Sequence, residues 1–204
     1  MKENNTLNWA LLVTGWGRGA TKVINSFNNG YLGNNIIKLL IYENLPCGAA
    51  NEAIKSNIKS LNIKRSDFNS TAIYQHKLTQ ILKEENIDYI FLLNYKYRIR
   101  TEMLEAFKNR IINIHPSLLP SFKNTSKAIQ EALAYGVKVS GITTHIIDEN
   151  MDEGTIISQE PIVFEEWDDF ESIDSKFTKA GEQIAVKTIN LINSQHYNKV
   201  YQNV

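Results

Sequence analysis

"IINIHPSLLPSF", residues Ile111 to Phe122, is the stretch that decides the fold. It opens on isoleucines, places Asn113 and His115 two residues apart, and breaks at Pro116. β-Branched residues suit a pleated, buried strand, and residues two apart in an extended chain project to the same side. Proline has no N–H to give a ladder, so the strand ends there. The stretch therefore predicts a strand whose carboxyl end carries an amide and an imidazole side by side.

On either side of this stretch, apolar runs alternate with amphipathic ones. "WALLVT" (Trp9 to Thr14) runs into a glycine cluster and then a helical pattern, "ATKVINSFNNG", stopped by Gly30. "NIIKLLIY" (Asn35 to Tyr42) reads as a second strand and "GAANEAIKSNI" as a helix. "YQHKLTQILKEENI" (Tyr74 to Ile87) puts Leu78, Ile81 and Leu82 on one face, and leads into "DYIFLLN". That unbroken apolar run predicts a strand covered on both faces. "TEMLEAFKN" is a short helix before "RIINIH", and "TSKAIQEALAYG" is a helix closed by Gly136.

Such alternation implies right-handed βαβ units and a mostly parallel α/β sheet with helices on both faces. Beyond Gly136 the pattern changes. "VKVSGITTHIID" and "GTIISQEPIVF" are two strand runs joined by the acidic turn "DENMDEG", and Pro161 predicts an edge for the second. A long helix, Phe170 to Asn193, closes the pattern, with Ile173, Phe177, Ala180, Ile184, Val186, Ile189 and Ile192 placed to pack on the sheet.

The bulk properties fit a single domain over residues 1–204. Hydrophobic residues make up 43% of the chain and charged ones 22%, enough for one substantial core. Lys+Arg and Asp+Glu both number 22, so no net field attracts nucleic acid or an anionic membrane. No apolar stretch is long enough to span a bilayer, and the N-terminus lacks the apolar core of a signal peptide. Cys47 is the one cysteine, read as a small buried hydrophobe in a reducing compartment. A cytoplasmic protein, monomeric or homodimeric and acting on small molecules, is the expectation.

In open α/β sheets ligands bind at the carboxyl ends of the parallel strands. Three segments qualify. "TGWGRGA" (Thr14 to Ala20) places Gly15, Gly17 and Gly19 between a strand and a helix, which suits a small anion clamped by Arg18. A dinucleotide site and a ligand-free tight turn remain the alternatives. The "NYKYR" segment after "YIFLL" is the second, and the Asn113/His115 turn the third. The acidic turn has no EF-hand spacing, and reads either as a solvated hairpin or as the source of a carboxylate, Asp152, folded back on His115. The sequence gives no metal-ligand pattern, because neither His115 nor His145 has an i+4 partner and there is no cysteine cluster. It also has no G-x-S-x-G, the setting in which Ser117 near His115 would read as the nucleophile of a Ser-His-Asp hydrolase.

Together these residues resemble the folate-dependent formyltransferase family. The resemblance rests on "NIHPSLLPSF" followed by "GITTHIIDENMDEGTIISQ" and runs from "LLVTGWG" through the last helix. It implies the Rossmann-like formyltransferase fold and transfer of a formyl group from 10-formyltetrahydrofolate, a co-substrate, to a primary amine, with no metal. Asn113, His115 and Asp152 match the family's catalytic trio. Arg98, Ile99 and Arg100, with the backbone from Ile147 through Asp148 to Asp152, match its folate pocket, although Arg100 stands where an apolar residue is usual. Gly17, Arg18 and Gly19 replace the Gly-Ser-Asn that grips the substrate phosphate, and Lys123-Asn124 replaces a Pro-Gly. Glu182 matches the contact to the substrate ribose. The implied acceptor is glycinamide ribonucleotide of purine biosynthesis. A nucleotide-linked amino sugar is the alternative, and a non-catalytic folate- or nucleotide-binding module the second.

Overall fold

In the computed structural model, which describes residues 6–194, the chain folds around a seven-stranded sheet in the order β3-β2-β1-β4-β5-β6-β7. Five strands, β1 (Leu7–Val13), β2 (Asn35–Tyr42), β3 (Lys59–Asn62), β4 (Tyr89–Leu92) and β5 (Ile111–His115), run parallel. β6 (Val139–Ile146) and β7 (Ile156–Val163) complete the sheet as an antiparallel pair. Helices α1 (Arg18–Asn28), α2 (Gly48–Lys55), α3 (Thr71–Glu84), α4 (Thr101–Ala106), α5 (Ala128–Tyr135) and α6 (Phe170–Asn193) cover the two faces.

The alternation of side chains along β1 shows why the central strands are apolar throughout. Trp9, Leu11 and Val13 enter a core shared with Ala20, Val23 and Ile24 of α1 and Ala185 and Ile189 of α6. Ala10 and Leu12 enter the opposite core, with Tyr74, Leu78 and Leu82 of α3 and Met103 of α4. Every residue of β4 is buried. A strand covered on both faces has no solvent side on which a polar residue would be stable. A third core, under β6 and β7, joins Ile142 and Ile162 to Ile173, Phe177, Ala180 and Ile184 of α6.

Two helix ends carry side-chain caps that explain where the helices start. Ser70 accepts from the Ile73 N–H at the head of α3, and Asp169 with Ser172 forms a reciprocal capping box at the head of α6. α3 accordingly starts three residues before the apolar pattern and stops at Glu84 rather than Ile87. The strand β3 has no counterpart in the sequence reading. Its four residues are none of them buried, so it lacks the apolar run that marks a strand. It lies at one edge of the sheet, and β7, with Pro161, lies at the other.

The strand order reverses at β1: the chain moves outward through β2 and β3, then returns to place β4 on the other side of β1. The carboxyl ends of β1 and β4 diverge there, and the crevice that results is where doubly wound sheets hold ligands.

Candidate active site

Asn113 lies directly across from His145 in the β5–β6 ladder, and His115 from Thr143. The turn after β6 then brings Asp152 back over both histidines. Its Oδ2 stands 3.5 Å from Nδ1 of His115 and its Oδ1 3.8 Å from Nε2 of His145. Two features of the turn make this return possible. Asp152 sits at φ +60°, a left-handed conformation that costs most residues about 1–2 kcal/mol and that Asp tolerates better. At Gly154 a Cβ would stand 1.8 Å from the Ile146 carbonyl oxygen, so only glycine lets the chain pass. The Asn124 N–H donates to Asp152 Oδ2 at 2.9 Å, tying the segment after Pro120 to the same carboxylate.

His145 is wholly buried, and that burial holds its pKa below the ordinary histidine value despite the pull of Asp152 in the other direction. It is therefore neutral at pH 7. Its Nδ1 lies 3.2 Å from the Ile146 carbonyl, which can only accept, so Nδ1 carries the proton. Nε2 is then a bare acceptor and takes a hydrogen bond from Nδ2 of Asn113 at 3.2 Å. This fixes the Asn113 amide with one N–H committed and the other free to face a ligand. His115 is held as firmly: its Nε2 donates to the Phe122 carbonyl at 2.8 Å, and Nδ1 faces Asp152. Ser117 is fully buried and donates to the Ser121 carbonyl, a turn-closing role.

Two cavities are lined by chain neighbours of this cluster, Ile114 and Pro116 in one and Glu149 in the other. One, of about 480 Å³, opens at the switch point between the loops after β1 and β4, β5 and α6. Gly17, Arg18 and Gly19 line one side of it and Glu182 another, with Trp16, Asn94, Ile114 and Asp174. The side chains of Arg18, Asp174 and Glu182 form no hydrogen bond or ion pair with any described residue. A second cavity, of about 690 Å³, is lined by Arg98, Ile99 and Arg100 together with Lys96, Tyr97 and Glu149. Arg98 donates to the Glu149 carbonyl at 2.8 Å, so this wall is fastened to the acidic turn. Ile147 bonds back to β5 through Ile111, and Asp148 accepts from the Asn150 N–H.

The sequence reading passed over two residues that organise the site. His145, on β6, links Asn113 to Asp152; its signal was a histidine at the centre of a strand run that precedes an acidic turn. Gln75, buried on α3, gives Nε2 to the Arg98 carbonyl and takes the Arg100 N–H on Oε1, both at 2.8 Å. It clamps the backbone on either side of Ile99, and its signal was a polar residue on an otherwise apolar helix face. The tyrosines of "NYKYR" are tied into the protein, and Tyr97 also lines the second cavity. Tyr95 and Tyr97 meet edge-on at 5.6 Å, and Tyr97 donates to the buried Glu43 carboxylate at 2.5 Å. Burial raises the Glu43 pKa, but hydrogen bonds from Tyr97, Arg65 and Lys96 outweigh it and hold the group below the usual range. Among the described residues no group of His, Cys, Asp and Glu is arranged to hold a metal ion.

A mostly parallel sheet that carries an amide, two histidines and a carboxylate at one strand end, with a cavity at the switch point and a basic cavity at the acidic turn, suits an enzyme of the group-transfer class. The formyl transferase family model matches residues 7–189, and the chain belongs to that family. A phosphoribosylglycinamide formyltransferase from Bacillus subtilis is 37% identical over 123 residues, which span 60% of this chain and 63% of that protein. The crystal structure of a phosphoribosylglycinamide formyltransferase from Bacillus halodurans superposes with a TM-score of 0.86 at 32% identity, covering 96% of this chain and all of that one. A glycinamide ribonucleotide transformylase from Symbiobacterium toebii superposes at 0.88, with 27% identity over 94% of this chain and 89% of that one.

Proposed function

We propose that the chain transfers a formyl group from 10-formyltetrahydrofolate to the amine of glycinamide ribonucleotide. The observation that carries this reading is the Asn113–His145–Asp152–His115 cluster at the end of β5, whose chain neighbours Ile114 and Pro116 line the first cavity and Glu149 the second. The folate enters along the basic cavity, with its glutamate carboxylates toward Arg98 and Arg100, and the pterin near Ile99 and the Ile147–Asp152 backbone. The acceptor enters at the switch point, phosphate toward Arg18 and the Gly17–Gly19 loop, ribose hydroxyls toward Glu182.

The acceptor amine attacks the formyl carbon, forming the new C–N bond and a tetrahedral oxyanion. The free N–H of Asn113 donates to that oxygen, and His115 stabilises the same charge once its Nε2–H leaves the Phe122 carbonyl. Collapse breaks the bond from carbon to N10 of the folate. The proton lost by the amine passes to N10 by a relay that Asp152 organises beside His115. The products are the formylated amide and tetrahydrofolate.

Purified protein incubated with 10-formyltetrahydrofolate and glycinamide ribonucleotide is expected to release tetrahydrofolate and the N-formyl product in equal amounts. No transfer, with folate binding intact, would move the acceptor to an amine on a nucleotide-linked sugar, a reading that the Arg18 loop favours. Failure to bind folate at all would overturn the catalytic reading and leave a binding module.

A further inference from the structure

We propose that Trp16 is a specificity residue for the acceptor, a platform on which the acceptor's sugar ring stacks. The proposal rests on reading the switch-point cavity as the acceptor site. Trp16 lines that cavity and is 55% exposed, whereas Trp9, within β1, is completely buried. An indole on the surface could simply be a mobile side chain, but this one is seated. A Cβ at Gly48 would stand 2.5 Å from Trp16 Nε1 and 2.7 Å from Cε2, so the ring rests where only a glycine leaves room. The backbone is held as well: the Trp16 carbonyl accepts from the N–H of Gly48 at 3.0 Å and of Ala49 at 3.3 Å, taking donors at the start of α2.

A fixed apolar ring at the mouth of a polar cavity loses little conformational freedom when a ligand covers it, and tryptophan is the side chain with most area to offer. The remaining groups of the cavity say which face meets the ring. Arg18 supplies a cation beside it, while Asp174, Thr178 and Glu182 project from α6. Carboxylates accept hydrogen bonds from hydroxyls. A phosphorylated sugar satisfies both sets, with its anion at Arg18 and its hydroxyls at α6, leaving an apolar C–H face for the indole.

The test titrates ribose 5-phosphate, a probe that carries the sugar and the anion without the amine, against tryptophan fluorescence. Saturable quenching is expected in the wild type. It should disappear in Trp16→Phe, which removes the reporter, and shift roughly tenfold to higher ligand in Gly48→Ala, whose Cβ displaces the indole. No quenching, or an unshifted midpoint in Gly48→Ala, overturns the proposal. In steady state with glycinamide ribonucleotide, Trp16→Ala should raise the acceptor KM about tenfold, with the folate KM unchanged and the acceptor KM restored in Trp16→Phe. Equal rises in both KM values would mean that the loop has collapsed, and would also overturn it. Quenching by ribose 5-phosphate in a protein that does not formylate glycinamide ribonucleotide would support the platform while rejecting that acceptor.

Discussion

The cluster around Asp152 and the wall carrying Trp16, Arg18 and Glu182 face the same end of the sheet, yet they are built in opposite ways. Around Asp152 nearly every polar atom has a partner within the protein: Asn113 with His145, His115 with the Phe122 carbonyl, Asp152 with the Asn124 N–H. Along the other wall Arg18, Asp174 and Glu182 face open space. Groups that must meet a developing charge are most effective when they are fixed beforehand, because little reorganisation is then needed at the moment of reaction; in this cluster only the Nε2–H of His115 has to change partner. Groups that bind a charged substrate need no protein partner, since the ligand supplies one. The difference predicts that changes in the cluster act on kcat and changes in the wall act on the acceptor KM.

The largest effect should come from removing the charge at the centre of the cluster. Asp152→Asn keeps the size of the side chain and its hydrogen bond from Asn124, and is expected to lower kcat by roughly 10²–10⁴ through lost proton transfer. Pre-steady-state release of tetrahydrofolate would show it, and a normal kcat would break the comparison. On the wall, Arg18→Ala should raise the acceptor KM by about 10- to 100-fold, the loss of one charge-assisted contact, and leave kcat within a few-fold. A fall in kcat with unchanged KM would place Arg18 in the chemistry instead.

Gln75 sharpens the contrast from the folate side. Gln75→Ala leaves the Arg98 carbonyl and the Arg100 N–H without their partner, and is expected to raise the folate KM about tenfold while the acceptor KM stays put. Isothermal titration with folate alone would separate this from a folding defect.

The smallest effect concerns His145 and pH. Its folded pKa is depressed by burial, so an unfolded chain takes up a proton below about pH 6.5 that the folded protein refuses. Stability from this residue is complete above that pH and declines as pH falls toward the folded pKa. In His145→Gln that decline should be absent, which chemical denaturation at pH 7.5 and pH 5.5 would reveal as a smaller difference between the two conditions than in the wild type.

What could be read in the sequence follows the same division. The parallel core was legible because burial on both faces leaves strands such as β4 apolar throughout, and the helix α6 because its apolar positions recur along 24 residues. β3 was not legible, since an edge strand with exposed and half-buried residues has no such run. At the site, Asn113 and His115 announced themselves by spacing, and the structure sets His115 against Asp152 and joins Asn113 to it through His145. His145 did not, because its role comes from a cross-strand neighbour, Asn113, fixed only by the register of β5 on β6. Gln75 acts on backbone atoms of a segment 23 residues away, a relation that no local pattern encodes. Trp16 stands in a glycine-rich string, but its seat on Gly48 depends on how α2 meets the β1 loop.

The measurement that bears most directly on the whole account is kcat for formyl transfer in His115→Ala, with 10-formyltetrahydrofolate and glycinamide ribonucleotide both saturating. A fall of about 10²–10³ with both KM values close to wild type is expected, the loss of a donor to the oxyanion. A wild-type kcat in that variant would contradict it, and would move the chemistry away from the end of β5.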